Sequence, residues 1–292
     1  MSRIQLIRGF LRAASRLPLP VAHALGAVIG TAAALVPSRA RHVTRVNLRV
    51  CFPRASRPWR LRMLFAAFRE LGKQLLETGI IWFADEARLR RLVVNPDALD
   101  TLAAHWPEDR GLLLAAPHLG NWELASLFIN QRFRVHNLYR PPRDPELEPL
   151  LLEARERTGA RSLPATPAGI RQLYKLLRQG SLVGILPDQT PRESGVHAPF
   201  FGVPARTMGL LSQMARKTGA PVLFTFMERL PWGRGFRLHV LPAPAGIDAD
   251  DPLQAATAVN AGVEACVRRA PAQYQWTYRR FRPAPPGREH PY

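Results

Sequence analysis

The sequence predicts an α/β protein with a mixed, mostly parallel central sheet flanked by helices, preceded by an N-terminal membrane-associated helix. Short apolar runs alternate with helical patterns after about residue 110, which is typical of strands covered by helices on both faces. With 292 residues, 47% of them hydrophobic, the chain is long enough to bury a full core. The N-terminal stretch combines arginines with apolar residues at helical spacing, which indicates a surface-bound helix.

Basic residues dominate the start of the chain. Thirteen arginines precede the first acidic residue, Glu70. Arg8, Arg12 and Arg16 recur every four residues beside an apolar stripe that begins at Ile4. This pattern predicts a basic amphipathic helix that lies on anionic lipid headgroups. The alternative is a solvated charged face whose apolar side packs on the rest of the protein.

An uncharged run follows, and its continuous helical part is Val21 to Val36. Sixteen helical residues rise about 24 Å, less than the roughly 30 Å hydrocarbon core of a bilayer. We expect an anchor that dips into the membrane or barely spans it, rather than a cleaved signal peptide. The predicted division is therefore a membrane anchor at 1–40 and a catalytic domain at 41–292.

The remaining elements follow from periodicity. A helix is predicted from Pro58 to Phe83, and the tail from Pro271, rich in proline and aromatic residues, is expected to wrap the surface. The predicted strands are Gly111–Ala116, Arg134–Tyr139, Leu182–Leu186, Pro221–Met227 and Phe236–Leu241. The further predicted helices are Asn121–Asn130, Pro145–Thr158, Pro167–Arg178, Met208–Lys217 and Pro252–Arg269.

Composition limits the function classes without choosing one. The chain carries 41 basic and 22 acidic residues, a net charge of +19, which favours an anionic partner such as a membrane, a phosphorylated lipid, an acidic protein or nucleic acid. Cys51 and Cys266 have no metal-ligand spacing and are predicted to be packed, reduced thiols. Phosphate-binding GxxxxGK[ST], dinucleotide-binding GxGxxG and zinc-binding HExxH patterns are absent from the sequence.

The strongest local signal is Pro117-His118-Leu119-Gly120-Asn121-Trp122-Glu123, directly after the first predicted strand. Ligands bind at the carboxyl ends of strands in open α/β sheets, so His118 stands at a functional edge. With His118 in the turn and Glu123 in the first turn of the next helix, the two side chains can meet. A carboxylate bonded to one imidazole nitrogen leaves the other free to take a proton. The alternative is a structural histidine beside a helix cap.

No protein nucleophile accompanies this pair. The chain has no G-x-S-x-G elbow, so a base and a carboxylate without a nucleophile indicate that a substrate hydroxyl makes the attack.

Three further polar segments lie next to predicted strands. Arg140 and Arg143 follow the second strand, where an arginine either binds phosphate or pairs with a nearby acidic residue. Asp188 follows Pro187 at the end of the third strand, where a turn role is the alternative to a site role. Thr207 precedes a predicted helix and is a candidate N-cap.

Together these segments resemble the bacterial late acyltransferases of lipid A biosynthesis, the lauroyl and myristoyl transferases. These belong to the glycerolipid acyltransferase superfamily marked by His-x4-Asp/Glu, in which this branch commonly carries Glu, here Glu123. The resemblance spans about residues 40–282. The matching segments are Asn47–Pro53, His118–Glu123, Tyr139–Pro141, Pro187–Gln189, Pro199–Gly202 and Pro271–Phe281.

The resemblance implies that His118 and Glu123 form the catalytic pair and that Arg140 and Asp188 lie at the substrate site. We assign Asn121, Gln189 and Thr207, from the same or adjoining segments, to substrate binding as well. It implies a glycerolipid acyltransferase-like fold and a thioester donor on acyl carrier protein or coenzyme A. The implied acceptor is a hydroxyl of a phosphorylated glucosamine lipid at the cytoplasmic face of the inner membrane. No metal or further cofactor is expected.

Two alternatives within enzymes stay open: acyl transfer to another lipid or glycolipid acceptor, and hydrolysis of acyl thioesters. From a different class, a basic nucleic-acid-binding or membrane-scaffolding protein is less favoured. No nucleic-acid-binding module is recognisable, and apolar segments adjoin the densest basic region.

Overall fold

The computed structural model describes residues 3–142, 144–191 and 194–292. Its helices are α1 (Arg3–Ser15), α2 (Leu19–Leu35), α3 (Arg39–Cys51), α4 (Arg57–Phe83), α5 (Glu86–Leu92), α6 (Ala98–Ala104), α7 (Trp122–Asn130), α8 (Glu148–Glu156), α9 (Pro167–Arg178), α10 (Leu210–Thr218) and α11 (Pro252–Arg269). Its strands are β1 (Leu112–Ala115), β2 (Val135–Tyr139), β3 (Arg161–Pro164), β4 (Leu182–Ile185), β5 (Val196–Phe200), β6 (Val203–Thr207), β7 (Val222–Arg229) and β8 (Phe236–Pro242).

Six strands form the central sheet, in the order β3-β2-β4-β1-β7-β8. Every neighbouring pair is parallel except β7 and β8, which are antiparallel. The strand β1 runs through the middle and is buried on both faces. Its Leu113 and Ala115 pack against one helical layer, and its Leu112 and Leu114 against the other. This alternation confirms the predicted α/β fold with a mostly parallel sheet covered on both sides.

The five predicted strands and the long helices are present, with ends shifted by a few residues. The sequence patterns missed several shorter elements, namely α3, α5, α6, the edge strand β3 and the separate β5–β6 hairpin. The hairpin falls in the segment that was interpreted as a polar stretch before a helix. It contains the directly paired Pro199 and Pro204, and proline weakens the sequence signal for a strand.

The first two helices pack against α4 of the following region. The backbones of α2 and α4 approach so closely that a Cβ built on Gly30 would lie 2.0 Å from the Phe68 carbonyl oxygen. A Cβ on Gly72 would lie 2.0 Å from the Gly26 carbonyl oxygen. These glycines therefore have no room for a side chain. The boundary at residue 40 stays a prediction.

The outer face of α2 carries apolar side chains that the protein leaves exposed. Val21, Leu25, Val28 and Ile29 follow helical spacing, and Val28 is 68% exposed. Within the described residues, no single helix is both long and apolar enough to cross a membrane. By length and composition alone, the pair α2 and α3 meets this requirement together, but it is bent by 87°.

The C-terminal tail does not wrap the surface as predicted from the sequence. Tyr274, Trp276, Arg280 and Phe281 are buried, and the three aromatic side chains belong to a core cluster beside the sheet. Asn47 of α3 donates to the backbone oxygens of residues 276 and 278 through its side-chain amide, at 2.7 and 2.8 Å. The aromatic residues of the tail are therefore core residues, and this segment approaches the strand ends that carry the candidate site.

Candidate active site

The turn that follows β1 is held at several points. Gly120 has φ 62°, and a Cβ at this position would lie 1.9 Å from the Met227 carbonyl oxygen. Its N–H donates to the Gln273 carbonyl at 3.1 Å, and the Asn121 N–H donates to the Met227 carbonyl at 2.8 Å. Only glycine combines this left-handed backbone with so close an approach. The turn is thus fixed to β7 and to the tail, and with it the position of His118.

The His118 side chain is paired with Asp188. Its Nδ1 lies 2.8 Å from Asp188 Oδ1, and its backbone N–H donates to Asp188 Oδ2 at 3.0 Å. The reason is the register of the sheet: β1 and β4 are parallel neighbours with Ala115 opposite Ile185. His118 and Asp188 each follow those residues by three positions, so the two loops run side by side.

Burial and charge set the states of this pair. Asp188 is 2% exposed, whereas the His118 side chain keeps 16% of its surface exposed. Burial opposes ionisation of Asp188, but the His118 charge and the hydrogen bonds from its ring and backbone outweigh burial and hold the pKa of Asp188 below its usual range. An ionised carboxylate only accepts hydrogen bonds, so Nδ1 of His118 carries a proton, and in the neutral form of the ring Nε2 carries the lone pair.

The lone pair of His118 Nε2 faces an amide. Gln189 Nε2 lies 3.2 Å from it and also donates to Gln275 Oε1 at 3.1 Å. The Gln275 backbone N–H in turn donates to the His118 carbonyl oxygen at 3.0 Å. Trp122 stands edge-on to the imidazole with the ring centroids 5.1 Å apart. The imidazole is therefore in contact with Asp188, Trp122 and Gln189, and its Nε2 lies beside the Gln189 amide.

Glu123 does not take the position that the sequence pattern predicted. Its carboxylate forms a two-pronged ion pair with Arg155 of α8, in which Arg155 Nε donates to Glu123 Oε2 at 2.9 Å and Arg155 Nη2 donates to Oε1. Asp188 instead holds the imidazole. Asn121 caps α7, so Glu123 lies in the first turn of the helix and reaches α8, on the far side of the turn from Asp188. The expectation that Glu123 orients His118 by direct contact was wrong in geometry.

His118 and the Glu123–Arg155 pair nevertheless border one cavity of about 300 Å³, which lies at the carboxyl ends of β1, β2 and β4. His118, Glu123, Arg155 and Gln189 supply its polar wall. The apolar part of its lining is formed by Leu127, Leu138, Ala165, Ile185, Leu186 and Met208. An apolar pocket with a few convergent polar groups is the usual form of a small-molecule site.

Two of the predicted substrate-binding residues are buried and hydrogen-bonded within the protein, away from the cavity. Asn121 is buried, where its Oδ1 accepts from the Leu124 N–H at 2.9 Å and its Nδ2 donates to Glu77 at 2.8 Å. Thr207 is fully buried at the end of β6 and accepts from Arg280 Nη2 at 2.8 Å. Thr207 is also not an N-cap, since α10 begins at Leu210 after Gly209. Neither residue lines the cavity.

Arg140 lies at the cavity rim and is exposed. The acidic partner considered for it, Asp144, pairs with Arg3 at 3.0 Å. Within the part of the chain that the structure describes, Arg140 takes part in no ion pair. Arg143, the second arginine of this segment, lies outside the described residues.

Arg155 and Gln275 were missed by the sequence reasoning. Arg155 lies among acidic residues of a predicted helix, where it has the pattern of a solvated ion pair. Gln275 was assigned to a surface tail. Cys51 and Cys266 are buried free thiols as predicted, and burial raises the pKa of Cys266 to about 12. No group of three or more potential metal-ligating His, Cys, Asp or Glu side chains occurs among the described residues.

Comparisons with known proteins identify the family. The family model for bacterial lipid A biosynthesis acyltransferases matches residues 3–283, and the chain belongs to this family of acyltransferases. It is 32% identical to the lipid A biosynthesis lauroyltransferase of Escherichia coli over 96% of this chain and 91% of that protein. It is also 32% identical to the palmitoleoyltransferase of Escherichia coli over 93% and 88% of the two chains.

A more distant relative has a different acceptor in its name. The phosphatidylinositol mannoside acyltransferase of Mycobacterium tuberculosis is 32% identical over 53% of this chain and 49% of that protein. The wider group of relatives therefore acylates more than one kind of glycolipid.

Proposed function

We propose that this protein transfers a fatty acyl chain from an acyl thioester to a hydroxyl of a phosphorylated lipid A precursor, in lipopolysaccharide biosynthesis. The observation that carries the proposal is the imidazole of His118, whose Nδ1 is bonded to a buried carboxylate while Nε2 lies beside a partly apolar cavity. The full-length similarity to two lipid A acyltransferases supports the acceptor class.

In the proposed reaction, His118 Nε2 removes the proton of the acceptor hydroxyl as its oxygen attacks the thioester carbonyl carbon. The tetrahedral intermediate expels the thiolate, which takes the proton back from the imidazolium. The products are an ester and a free thiol. Asp188 holds the tautomer and stabilises the imidazolium. The acceptor hydroxyl takes the place of the Gln189 amide at Nε2, so Gln189 moves aside or binds substrate. The reaction uses no metal and no cofactor besides the thioester.

Glu123 acts in this mechanism through Arg155. Burial opposes the charged form of Arg155, but the Glu123 carboxylate outweighs burial and raises the pKa of Arg155. The pair therefore keeps a guanidinium fixed in the wall of the cavity that also holds His118. A preorganised cation in a partly desolvated site stabilises the negative charge that develops on the carbonyl oxygen. The backbone N–H groups at the start of α7 are further candidates for this role.

The donor is proposed to be acyl carrier protein rather than coenzyme A. The chain carries a net charge of +19, and acyl carrier proteins are strongly acidic, so charge favours their encounter. Turnover with the two thioesters of the same acyl chain tests this choice. A clear preference for the coenzyme A form reverses it.

We further propose that the protein binds the cytoplasmic face of the inner membrane through α1 and α2. The exposed apolar side chains of α2 supply the buried face of the contact, and the thirteen arginines that precede Glu70 supply an excess of positive charge in the same region. Replacing Leu25, Val28 and Ile29 by serine should reduce flotation with anionic vesicles while the melting temperature is kept. Three serines in place of Leu253, Val94 and Trp232, which are also exposed, are the matched control. Equal flotation of both triple variants contradicts the proposal.

The deciding experiment is mass spectrometry of lipid A from bacteria that lack the gene and then regain it. We expect the loss and return of one acyl chain, and no return with His118→Ala. An unchanged lipid A together with a changed glycolipid in the same extract favours acyl transfer to another lipid or glycolipid acceptor. Accumulation of free fatty acid from the thioester favours hydrolysis of acyl thioesters.

A further inference from the structure

A buried carboxylate on α4 connects the N-terminal helices to the turn that carries His118. Glu77 is completely buried, and three donors from different elements converge on it. His23 Nε2 of α2 lies 2.6 Å from Glu77 Oε1, and Asn121 Nδ2 donates to Oε2 at 2.8 Å. Arg229 of β7 donates to both oxygens, from Nη2 to Oε2 at 2.6 Å and from Nε to Oε1.

The carboxylate is ionised in this setting. Burial opposes the charge on Glu77, but the Arg229 guanidinium and the hydrogen bonds from His23 and Arg229 outweigh burial and lower its pKa to about 2. An ionised carboxylate offers about four acceptor positions and no donor, so it can accept the hydrogen bonds from His23, Asn121 and Arg229 together. A glutamine at this position would bring two N–H donors of its own toward them.

Asn121 transmits this contact to the turn. Its amide Nδ2 is taken by Glu77, and this leaves Oδ1 to cap the Leu124 N–H. The orientation of the amide, and with it the cap of α7, is therefore set by Glu77. Asn121 follows His118 by three residues, and Trp122, the next residue, contacts the imidazole ring.

Arg229 provides a second connection to the same turn. The Gln273 side chain accepts from the Arg229 N–H and donates to the Arg229 carbonyl, both at 2.8 Å. The Gln273 carbonyl accepts from the Gly120 N–H at 3.1 Å. Residue 121 is thus bonded to Glu77 directly, and residue 120 is connected to Glu77 through Gln273 and Arg229.

We propose that Glu77 is a positioning residue for His118 and that, through His23, it makes the geometry of the catalytic turn depend on the seating of α2. The proposal rests on the acyl transfer proposed above. It predicts that contacts remote from the cavity change the turnover number. A carboxylate that only neutralises Arg229 would change stability alone.

The test uses Asn121→Ser, because serine keeps a capping oxygen but has no N–H that reaches Glu77. We expect kcat to fall about tenfold while KM for the thioester stays within about twofold, as a small displacement of the base has this effect. Asn130→Ser is the matched control at the other end of α7, where the Asn130 side chain hydrogen-bonds to Thr158 and to the Val135 N–H, away from His118. It should lower the melting temperature and leave kcat unchanged.

The His23 link is tested with two variants in the full-length protein. His23→Gln keeps an N–H near the position of Nε2 and should retain most of the wild-type kcat. His23→Leu removes the donor and should reduce kcat as Asn121→Ser does. Equal kcat in the glutamine and leucine variants overturns the coupling to α2.

Amide hydrogen exchange gives a readout that needs no substrate. In Asn121→Ser and His23→Leu, the amides of residues 119–125 should exchange faster than in Asn130→Ser at equal loss of melting temperature. Unchanged exchange overturns the positioning role even if the variants lose activity. If wild-type protein transfers no acyl chain but the exchange differs as expected, the proposed function fails and the positioning of the turn stands.

Discussion

Two side-chain pairs contribute to the walls of one cavity, and they differ in the burial of their carboxylates and in their attachment to the backbone. Asp188 is 2% exposed and accepts from both the ring and the backbone N–H of His118. Glu123 and Arg155 keep 15% and 24% of their side chains exposed and join two helices through side chains alone. The first carboxylate is bound to His118 at two atoms, which suits the base of the proposed mechanism because its tautomer must stay constant. The second pair holds a guanidinium in the cavity wall, where the proposed mechanism places the developing negative charge.

The largest effect should follow removal of the base. His118→Ala is expected to reduce kcat about 10⁴-fold, the upper end of what general-base catalysis contributes, because no other side chain of the turn takes the hydroxyl proton. Radiolabelled acyl transfer measures the loss, with circular dichroism to verify folding. His105→Ala, at the exposed end of α6, is the control and should keep full activity. A well-folded His118→Ala variant within a few-fold of wild type would refute the mechanism.

The next largest effect should come from Asp188→Asn. In one orientation, the NH2 group of the introduced amide faces the His118 backbone N–H, and two donors oppose each other. In the other orientation, the NH2 group donates to Nδ1 of His118, and the ring proton moves to Nε2. We expect kcat to fall about 10²–10³-fold. Nitrogen NMR of the imidazole should show the reversed tautomer. If Asp188→Asn is nearly fully active while Glu123→Gln is inactive, the roles of the two pairs are exchanged.

A smaller effect is expected at the more exposed pair. Glu123→Gln and Arg155→Met should each lower kcat about 10–100-fold, the value of one charge-assisted hydrogen bond of about 1.5–3 kcal/mol. Because the two residues act as a unit, the double variant should be no worse than the poorer single variant. If the losses of transition-state stabilisation in the two single variants add up in the double variant, Glu123 acts independently of Arg155.

The smallest effect should be at the rim. Arg140→Ala is expected to raise KM for a phosphorylated acceptor about tenfold with little change in kcat. Arg140→Lys should restore only part of the wild-type affinity for this acceptor, since a lysine point charge does not replace the planar guanidinium. The difference in KM between wild type and Arg140→Ala should decrease at high salt, because the Arg140 guanidinium is exposed to solvent. An acceptor lacking the phosphate is the control. Unchanged saturation curves for both substrates would assign Arg140 to structure.

The sequence was sufficient to place the polar residues at strand ends but not to pair them. His118, Asp188 and Gln189 were each predicted to lie at the end of a buried strand, and the structure brings all three together. Which carboxylate would reach the imidazole depended on β4 being the neighbour of β1 and on their register. Both are long-range properties that periodicity along one strand does not contain.

Two other regions differ from the sequence prediction for local reasons. The β5–β6 hairpin turns at Phe201 and Gly202, with φ 49° and 80°. A two-residue turn with positive φ at both positions is usually marked by Asn-Gly or Asp-Gly, so a phenylalanine removes the signal. In the tail, the many prolines and arginines indicated a surface segment, but its aromatic residues pack in the core beside Asn47.

The glycine contact between α2 and α4 has a practical consequence for preparing the protein. With backbone against backbone at Gly26, Gly30 and Gly72, α2 covers main-chain atoms of α4. A chain shortened to residues 41–292 would uncover this groove and deprive Glu77 of His23. Such a fragment is expected to aggregate on expression. Purification in detergent with the exposed side chains of α2 made polar is therefore a better route to crystals than truncation.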